Sequence, residues 1–155
     1  MNWGCTLPEP QGRTSEGVLS DEAVAPADPA IVTAELAAVL KHARRIAELA
    51  VDKLAEEIVI LDMTGVTSFT DYFVICSGRN ARQTKGIFDE ILHVMKREAR
   101  LIPRAIAGER EAEWIVMDYG DIVVHIFAPE LRSYYRLEDL WGDVPRVALD
   151  ATAAG

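Results

Sequence analysis

The residues best suited to chemistry surround one tight turn, residues 118–121, which read Asp-Tyr-Gly-Asp. Apolar runs flank this turn, from Trp114 before it to Phe127 after it. Gly120, at the third turn position, can adopt a positive φ without a Cβ clash, so the segment predicts a β-hairpin. Such a hairpin would bring a Trp, two carboxylates and a Tyr close together. That combination suits either a binding surface or a site for a hard cation.

Alternation along the first strand of this hairpin divides its side chains between two faces. Trp114, Val116 and Asp118 share one face, whereas Ile115 and Tyr119 lie on the other. Trp and Tyr often anchor protein interfaces, but a Trp in a strand is also a common core residue. Periodicity alone leaves both interpretations of Trp114 open.

A metal site receives little support from residue spacing. Asp118 and Asp121 offer oxygen ligands, but two carboxylates at a turn are more often solvated turn residues. The three histidines, His42, His93 and His125, fall on two predicted helices and one strand, and no CxxC or HxxxH spacing occurs. We therefore predict no metal ion and no cofactor.

Nucleophilic catalysis is equally poorly supported. Cys76 lies within an apolar strand, where a buried, inert thiol is the more common state. Ser77-Gly78, between a strand and a helix, suggests a nucleophile elbow or a phosphate loop, but neither full pattern is present. The helix start at Asn80, with Arg79 and Arg82 nearby, could hold an anion. A capped helix with exposed arginines is the more ordinary interpretation.

Three further features weigh against an enzyme. A nucleotidyltransferase would place Gly-Ser shortly before a strand with two alternating carboxylates, yet Ser77-Gly78 precede Asp118 by about 40 residues. Asp118 and Asp121 also lie on a turn instead of one strand face, so the spacing does not suit two-metal chemistry. His125, within an apolar strand, is more typical of a packed, hydrogen-bonded residue than of a catalytic base.

Composition narrows the class of partner. The 155 residues carry a formal net charge of -9. Nucleic-acid affinity depends on Lys and Arg contacts with phosphates, so free nucleic acid is a poor partner and a basic protein is a better one. No apolar run is long enough to span a bilayer, and the N-terminus lacks the pattern of a signal peptide. With only two distant cysteines, these features predict a cytoplasmic protein with no membrane contact.

Element order indicates the fold. Residues 1–30 hold four of seven prolines and five carboxylates against one arginine, which predicts a disordered acidic leader. Residues 31–144 form the predicted domain, and residues 145–155 the predicted C-terminal tail. Within the domain the expected order is helix, strand, strand, helix, strand, strand, strand, helix. This order predicts an α+β fold with a mixed central sheet flanked by helices. The expected elements are a helix over 33–54, strands at 58–61 and 71–77, a helix from Asn80 to about Arg100, a short strand within 102–106, the hairpin, and a short helix over 129–135.

Several ordered elements together resemble the Iojap family, also called the ribosomal silencing factor RsfS. The resemblance covers about residues 35–143, and no single element carries it. The elements are residues 58–62, 71–75 with Ser77-Gly78, Arg82-Gln83, the hairpin from Trp114 to His125, Tyr134-Tyr135, and residues 140–143.

The resemblance implies what residue chemistry does not. Family members bind large-subunit ribosomal protein fourteen where the small subunit docks, which blocks subunit joining and lowers translation when nutrients are short. Organellar relatives take part in large-subunit assembly, and the family fold is similar in outline to nucleotidyltransferases but without known catalysis. The free protein is expected to be a homodimer. The resemblance implies that Trp114 is the binding anchor. We further expect Asp118 and Asp121 to pair with basic partner side chains and Tyr119 to add apolar contact. The alternatives are an assembly factor using the same contact and, less favoured, a nucleotidyltransferase-like enzyme.

Overall fold

The computed structural model describes residues 29–149, and residues 36–149 form one compact unit. The predicted acidic leader lies outside the described residues except for its last two, which begin the first helix. Within the described chain, the first eight elements follow the predicted α+β order, and a further short helix and a sixth strand come after them. None of the described helices is both long enough and apolar enough to cross a membrane.

Helix α1 spans Pro29–Asp52 and begins four residues earlier than predicted. Its buried stripe recurs at three- and four-residue spacing, as an amphipathic helix requires, and consists of Ala43, Ile46, Ala47, Leu49 and Ala50. The helix ends where Leu54 adopts a left-handed backbone (φ 62°), which lets the Ala55 N–H donate to the Ala50 carbonyl at 2.9 Å.

Helix α2 spans Ala81–Ala99, and its start confirms the predicted cap. The Asn80 side chain accepts from the Gln83 N–H at 2.9 Å, while Gln83 Oε1 accepts from the Arg79 N–H at 2.7 Å. Gln83 Nε2 also donates to the carbonyls of Lys53 and Leu54, each at 3.0 Å. One side chain therefore fixes the start of α2 and joins it to the end of α1.

Residues 29–149 contain six strands and, after the fifth of them, two short helices. The bounds are Glu56–Asp62 for β1, Tyr72–Ser77 for β2, Ala105–Ala107 for β3, Trp114–Asp118 for β4, Ile122–Phe127 for β5, Arg146–Val147 for β6, Pro129–Tyr135 for α3 and Leu137–Leu140 for α4. The six strands form one mixed sheet in the order β3-β4-β5-β2-β1-β6. Among these strands only β2 and β5 pair in parallel; the other neighbours are antiparallel.

Strand β6 is a difference from the sequence-based expectation. The sequence predicts a tail over 145–155, but Arg146 and Val147 pair with Leu61 and Ile60 at the edge of the sheet. A two-residue strand has no alternation of its own, so only its pairing with β1 identifies it. Residues 150–155 lie outside the described part of the chain.

Side chains of the sheet pack into two apolar clusters on its opposite sides. On the first side, which we call the helix face, the sheet packs against α1 and α2 through residues such as Ile46, Ile91, Val74 and Ile115. We call the second side the aromatic face. Its buried residues are Leu61, Met63, Phe73, Ile75, Phe127 and Val144, and the packed, partly buried side chains around them include Trp114, Leu131, Leu137 and Trp141.

Candidate functional site

The predicted hairpin is present, and its turn has a specific geometry. Gly120 adopts φ 93°, a conformation that strains any residue with a Cβ. Asp118 Oδ1 accepts from the Gly120 N–H at 2.8 Å, and the Tyr119 N–H donates to the Ile122 carbonyl at 2.8 Å. The turn sets a register in which Trp114 faces Phe127 across the ladder.

This register separates residues that the sequence suggests are close together. Trp114 begins β4, whereas Asp118 ends it beside the turn. At a rise of about 3.3 Å per strand residue, four residues separate the two side chains by roughly 13 Å. The hairpin therefore does not gather Trp114, the two carboxylates and Tyr119 into one cluster, because an extended strand carries its first residue away from the turn.

Trp114 instead belongs to an aromatic surface that also includes α3. Its ring lies 4.9 Å from the Phe127 ring and 4.7 Å from that of Tyr135, centroid to centroid. Tyr134 meets Tyr135 edge to face at 5.0 Å, and these two tyrosines remain 77% and 50% exposed. We call Trp114, Tyr134 and Tyr135 the aromatic patch. Trp114 is thus both packed and partly exposed, which combines the two interpretations left open by the sequence.

His125 orients the indole of Trp114. The Trp114 Nε1–H donates to His125 Nδ1 at 3.2 Å, so the neutral ring carries its proton on Nε2. Burial lowers the pKa of His125 to about 4, which keeps the ring neutral and able to accept at physiological pH. Phe73 packs against the same imidazole at 5.0 Å. This confirms the prediction that His125 is packed and hydrogen-bonded.

Helix α3, which carries the two tyrosines, is held by a buried arginine that the sequence did not single out. Arg132 is 5% exposed; its Nη1 donates to Ser77 Oγ at 2.8 Å and its Nε to Glu138 Oε2 at 3.0 Å. The hydroxyl of Ser77 therefore serves as an acceptor for α3. A basic residue between Leu131 and Tyr135 was the available signal, but its buried acceptor, Ser77, lies 55 positions away in the sequence.

The other three predicted site residues occupy different surroundings. Asp118 pairs with Arg104 at 3.3 Å in addition to holding the turn. Tyr119 packs against the cluster of the helix face, opposite to Trp114, and burial raises its pKa to about 12. Asp121 is exposed. Burial of Asp71 is the main cause that raises the pKa of Asp71, and the negative charge of Asp121 raises it further. No contact of the structure tests a partner-binding role for any of the four residues.

Chemically reactive arrangements are not found in the described part of the chain. Cys76 is fully buried, and burial raises its pKa to about 12, which confirms the predicted inert thiol. Residues 29–149 contain no group of three or more His, Cys, Asp or Glu placed to hold a metal ion. A groove of about 860 Å³ between α1 and α2 is lined mainly by charged and polar side chains, among them Lys41, Arg44 and Arg45, and the Arg45 guanidinium is paired with Glu48 and Glu98. The aromatic patch is thus the surface best suited to function, and it suits binding.

Comparisons with known proteins agree with this picture. The model of the family described as "Ribosomal silencing factor during starvation" matches residues 37–154. The chain is 44% identical over 99 residues to the ribosomal silencing factor RsfS of Bacillus subtilis, and this alignment covers 64% of this chain and 83% of that protein. A more distant relative is the mouse protein named mitochondrial assembly of ribosomal large subunit protein 1, 33% identical over 89 residues, or 56% of this chain and 39% of that protein.

A solved structure shares the fold. The crystal structure of a Chromobacterium violaceum protein superposes with a TM-score of 0.61 at 31% sequence identity, covering 75% of this chain and 94% of that one. The matched family model takes in every strand of the sheet and almost all of the described helices. The chain therefore belongs to the family of ribosomal silencing factors.

Proposed function

We propose that this protein binds the large ribosomal subunit through large-subunit ribosomal protein fourteen and thereby blocks joining of the small subunit. It would act in the cytoplasm, by occupying a surface and without catalysis, and it would repress translation when nutrients are limited. Family membership supports the ribosomal role. The observation that carries the binding mode is the aromatic patch, in which Trp114 of β4 packs against Tyr135 of α3 and both side chains remain partly accessible.

The energetics of such a contact are reasonable. Competition at micromolar ribosome concentrations requires roughly -8 to -11 kcal/mol of binding free energy. An interface of about 1,600 Å² with one or two aromatic anchors reaches this range. The net charge of -9 favours a basic protein partner through long-range attraction. Trp114 is preorganised by His125 and Phe127, so little side-chain entropy is lost when it docks.

Sedimentation of purified subunits tests the proposal. Adding the protein to small and large subunits should lower the fraction of joined particles and place the protein in the large-subunit peak. Trp114→Ala should weaken binding to large subunits by about 2 kcal/mol, close to 30-fold, as expected for an aromatic hot spot. Ile102→Ala, which truncates an apolar side chain that is 65% exposed elsewhere, is the matched control and should bind normally. Unchanged subunit joining at saturating protein would refute the proposal.

A second candidate function is assembly of the large subunit through the same contact. The mouse mitochondrial relative, whose name refers to assembly of the ribosomal large subunit, favours it. Depletion of the protein, followed by profiling of large-subunit precursors during growth in rich medium, separates the two roles. Accumulated precursors would indicate assembly, whereas normal subunits with excess translation in starvation would indicate silencing.

The resemblance also predicts a homodimer in the unbound state. Sedimentation equilibrium of the purified protein, with and without an excess of large-subunit protein fourteen, checks this prediction. A monomer at all concentrations would contradict it.

An enzyme using Asp118 and Asp121 with Mg²⁺ and a nucleotide is the least favoured alternative, and calorimetric titration with both ligands would detect it.

A further inference from the structure

A second groove opens on the aromatic face, away from the aromatic patch. It has a volume of about 480 Å³ and lies between the loop after β1 and the segment around α4. Val66 and Leu140 form its apolar walls and remain 48% and 71% exposed, while Trp141 and the buried Val144 line its interior. Exposed aliphatic side chains on both walls of one groove are typical of a docking site.

Backbone and side-chain hydrogen bonds hold this groove in place. The Asp62 N–H donates to the Pro145 carbonyl at 2.9 Å, which joins the two walls. Asp62 Oδ1 accepts from the Thr64 N–H at 3.0 Å and fixes the start of the loop. Trp141 stands edge to face against Phe73 at 6.3 Å. Because these contacts exist before any ligand binds, docking requires little reorganisation.

The charges at the groove indicate the chemistry of its occupant. Asp62 and Asp143 are the charged residues among its described lining, and no basic side chain lines it. Arg136, the basic residue nearest to α4, is already paired with Asp139 at 2.7 Å. A ligand that places an ammonium or guanidinium group beside these carboxylates would gain favourable electrostatics.

A chain of ring contacts connects this groove with the aromatic patch. Trp141 contacts Phe73, Phe73 lies 5.0 Å from His125, and His125 lies 6.1 Å from Trp114. The groove and the patch therefore lie on the same face of the sheet, and one partner can contact both.

We propose that this groove binds a basic segment of the same ribosomal partner, which inserts an aliphatic side chain between Val66 and Leu140 and places Lys or Arg beside Asp62 and Asp143. This inference rests on the proposed function. A second copy of this chain fits this acidic groove less well, because each copy carries a net charge of -9, and the predicted homodimer would therefore use another surface. Residues 150–155 of the same chain also fit poorly, since they include an aspartate and no basic residue.

Binding of the full-length protein to purified large ribosomal subunits, followed by fluorescence anisotropy, tests the inference. Leu140→Lys should weaken binding about tenfold, because it places a positive charge in the apolar wall and repels a basic occupant. The matched control Ile102→Lys places the same charge at another exposed apolar site and should bind as the wild type does. Leu140 is mostly exposed, so the variant should keep its unfolding midpoint.

A charge variant tests the basic character of the occupant separately. The double substitution Asp62→Asn and Asp143→Asn keeps an amide oxygen for Thr64 but removes both charges. It should weaken binding about fivefold and flatten the dependence of affinity on salt. The control pair, Glu109→Gln with Glu111→Gln in the exposed loop before β4, should leave affinity nearly unchanged.

Crosslinking identifies the occupant. Benzoylphenylalanine at position 140 should crosslink to a Lys- or Arg-rich segment of a large-subunit protein, and benzoylphenylalanine at position 102 should not. A crosslink between two copies of this chain, or to its own residues 150–155, would overturn the inference. So would normal binding by Leu140→Lys or by the double amide variant while Trp114→Ala is defective, and in that case the proposed function would stand. If the wild-type protein does not bind large subunits at all, the proposed function itself fails.

Discussion

The two faces of the sheet differ in what covers them. The helix face packs against two long helices, α1 and α2, and its strand residues Ile115 and Met117 are fully buried. The aromatic face has only the short helices α3 and α4; Phe73 and Phe127 are buried there, whereas Trp114 and Trp141 are only partly buried. Neighbouring residues of one strand therefore contribute differently: one side supplies stability, and the other presents a rigid surface for binding.

The largest expected effect separates the two faces within one strand. Ile115→Ala should lower the free energy of unfolding by about 4 kcal/mol, because it leaves a cavity in the helix-face core. Val116→Ala, at the next position and on the opposite side of β4, should cost only about 1 kcal/mol, since Val116 is partly exposed. Urea unfolding of both variants measures the contrast, and equal losses would show that the two faces contribute alike.

Acid should weaken the aromatic face through His125. The pKa of His125 in the native protein is about 4, below the ordinary value of 6.5. Between these two pH values the unfolded chain binds a proton at His125 that the native protein does not bind. The contribution of His125 to the free energy of unfolding is therefore fully present above pH 6.5 and falls as the pH drops toward 4. The loss should approach about 3 kcal/mol. Subtracting the pH profile of His125→Asn, which keeps an acceptor near Nδ1 but does not titrate, isolates this contribution. Parallel profiles for the two proteins would contradict the buried neutral imidazole.

Two left-handed glycines should respond differently to alanine. Gly108 has φ 80°, and an added Cβ would collide with the Trp114 carbonyl oxygen, so Gly108→Ala should cost about 2 kcal/mol and disturb Trp114 fluorescence. At Gly120 (φ 93°) the nearest neighbour of a Cβ is the Arg104 guanidinium at 4.0 Å, so Gly120→Ala should cost about 1 kcal/mol of backbone strain alone. Thermal unfolding with emission spectra distinguishes the two, and a larger cost at Gly120 would reverse the expected order.

The smallest expected effect concerns Asp118. Asp118→Asn keeps the oxygen that accepts from the Gly120 N–H and loses only the ion pair with Arg104. Because the Arg104 side chain is largely exposed, the free energy of unfolding should change by less than about 0.5 kcal/mol. If Asp118 pairs with a basic partner, affinity for large subunits should fall about threefold. Affinity equal to the wild type would remove Asp118 from the proposed interface and leave Trp114 as its anchor.

Local signals made much of the fold predictable. The Asn80 cap, the Gly120 turn and the alternation along β4 each depend on residues close in sequence, and the structure confirms all three. The candidate site was less predictable. Trp114 could be selected as an aromatic residue in a hairpin, but its separation from Asp118, its contact with Tyr135 and the support from Arg132 depend on how distant segments pack.

The sequence by itself determined the α+β class, most element positions and the family, because periodicity, caps and turn residues act over a few positions. Tertiary structure alone decided that Val147 pairs with β1, that His125 orients Trp114, and that Val66 and Leu140 form one groove. These arrangements join residues between 11 and 87 positions apart, for which no short pattern exists.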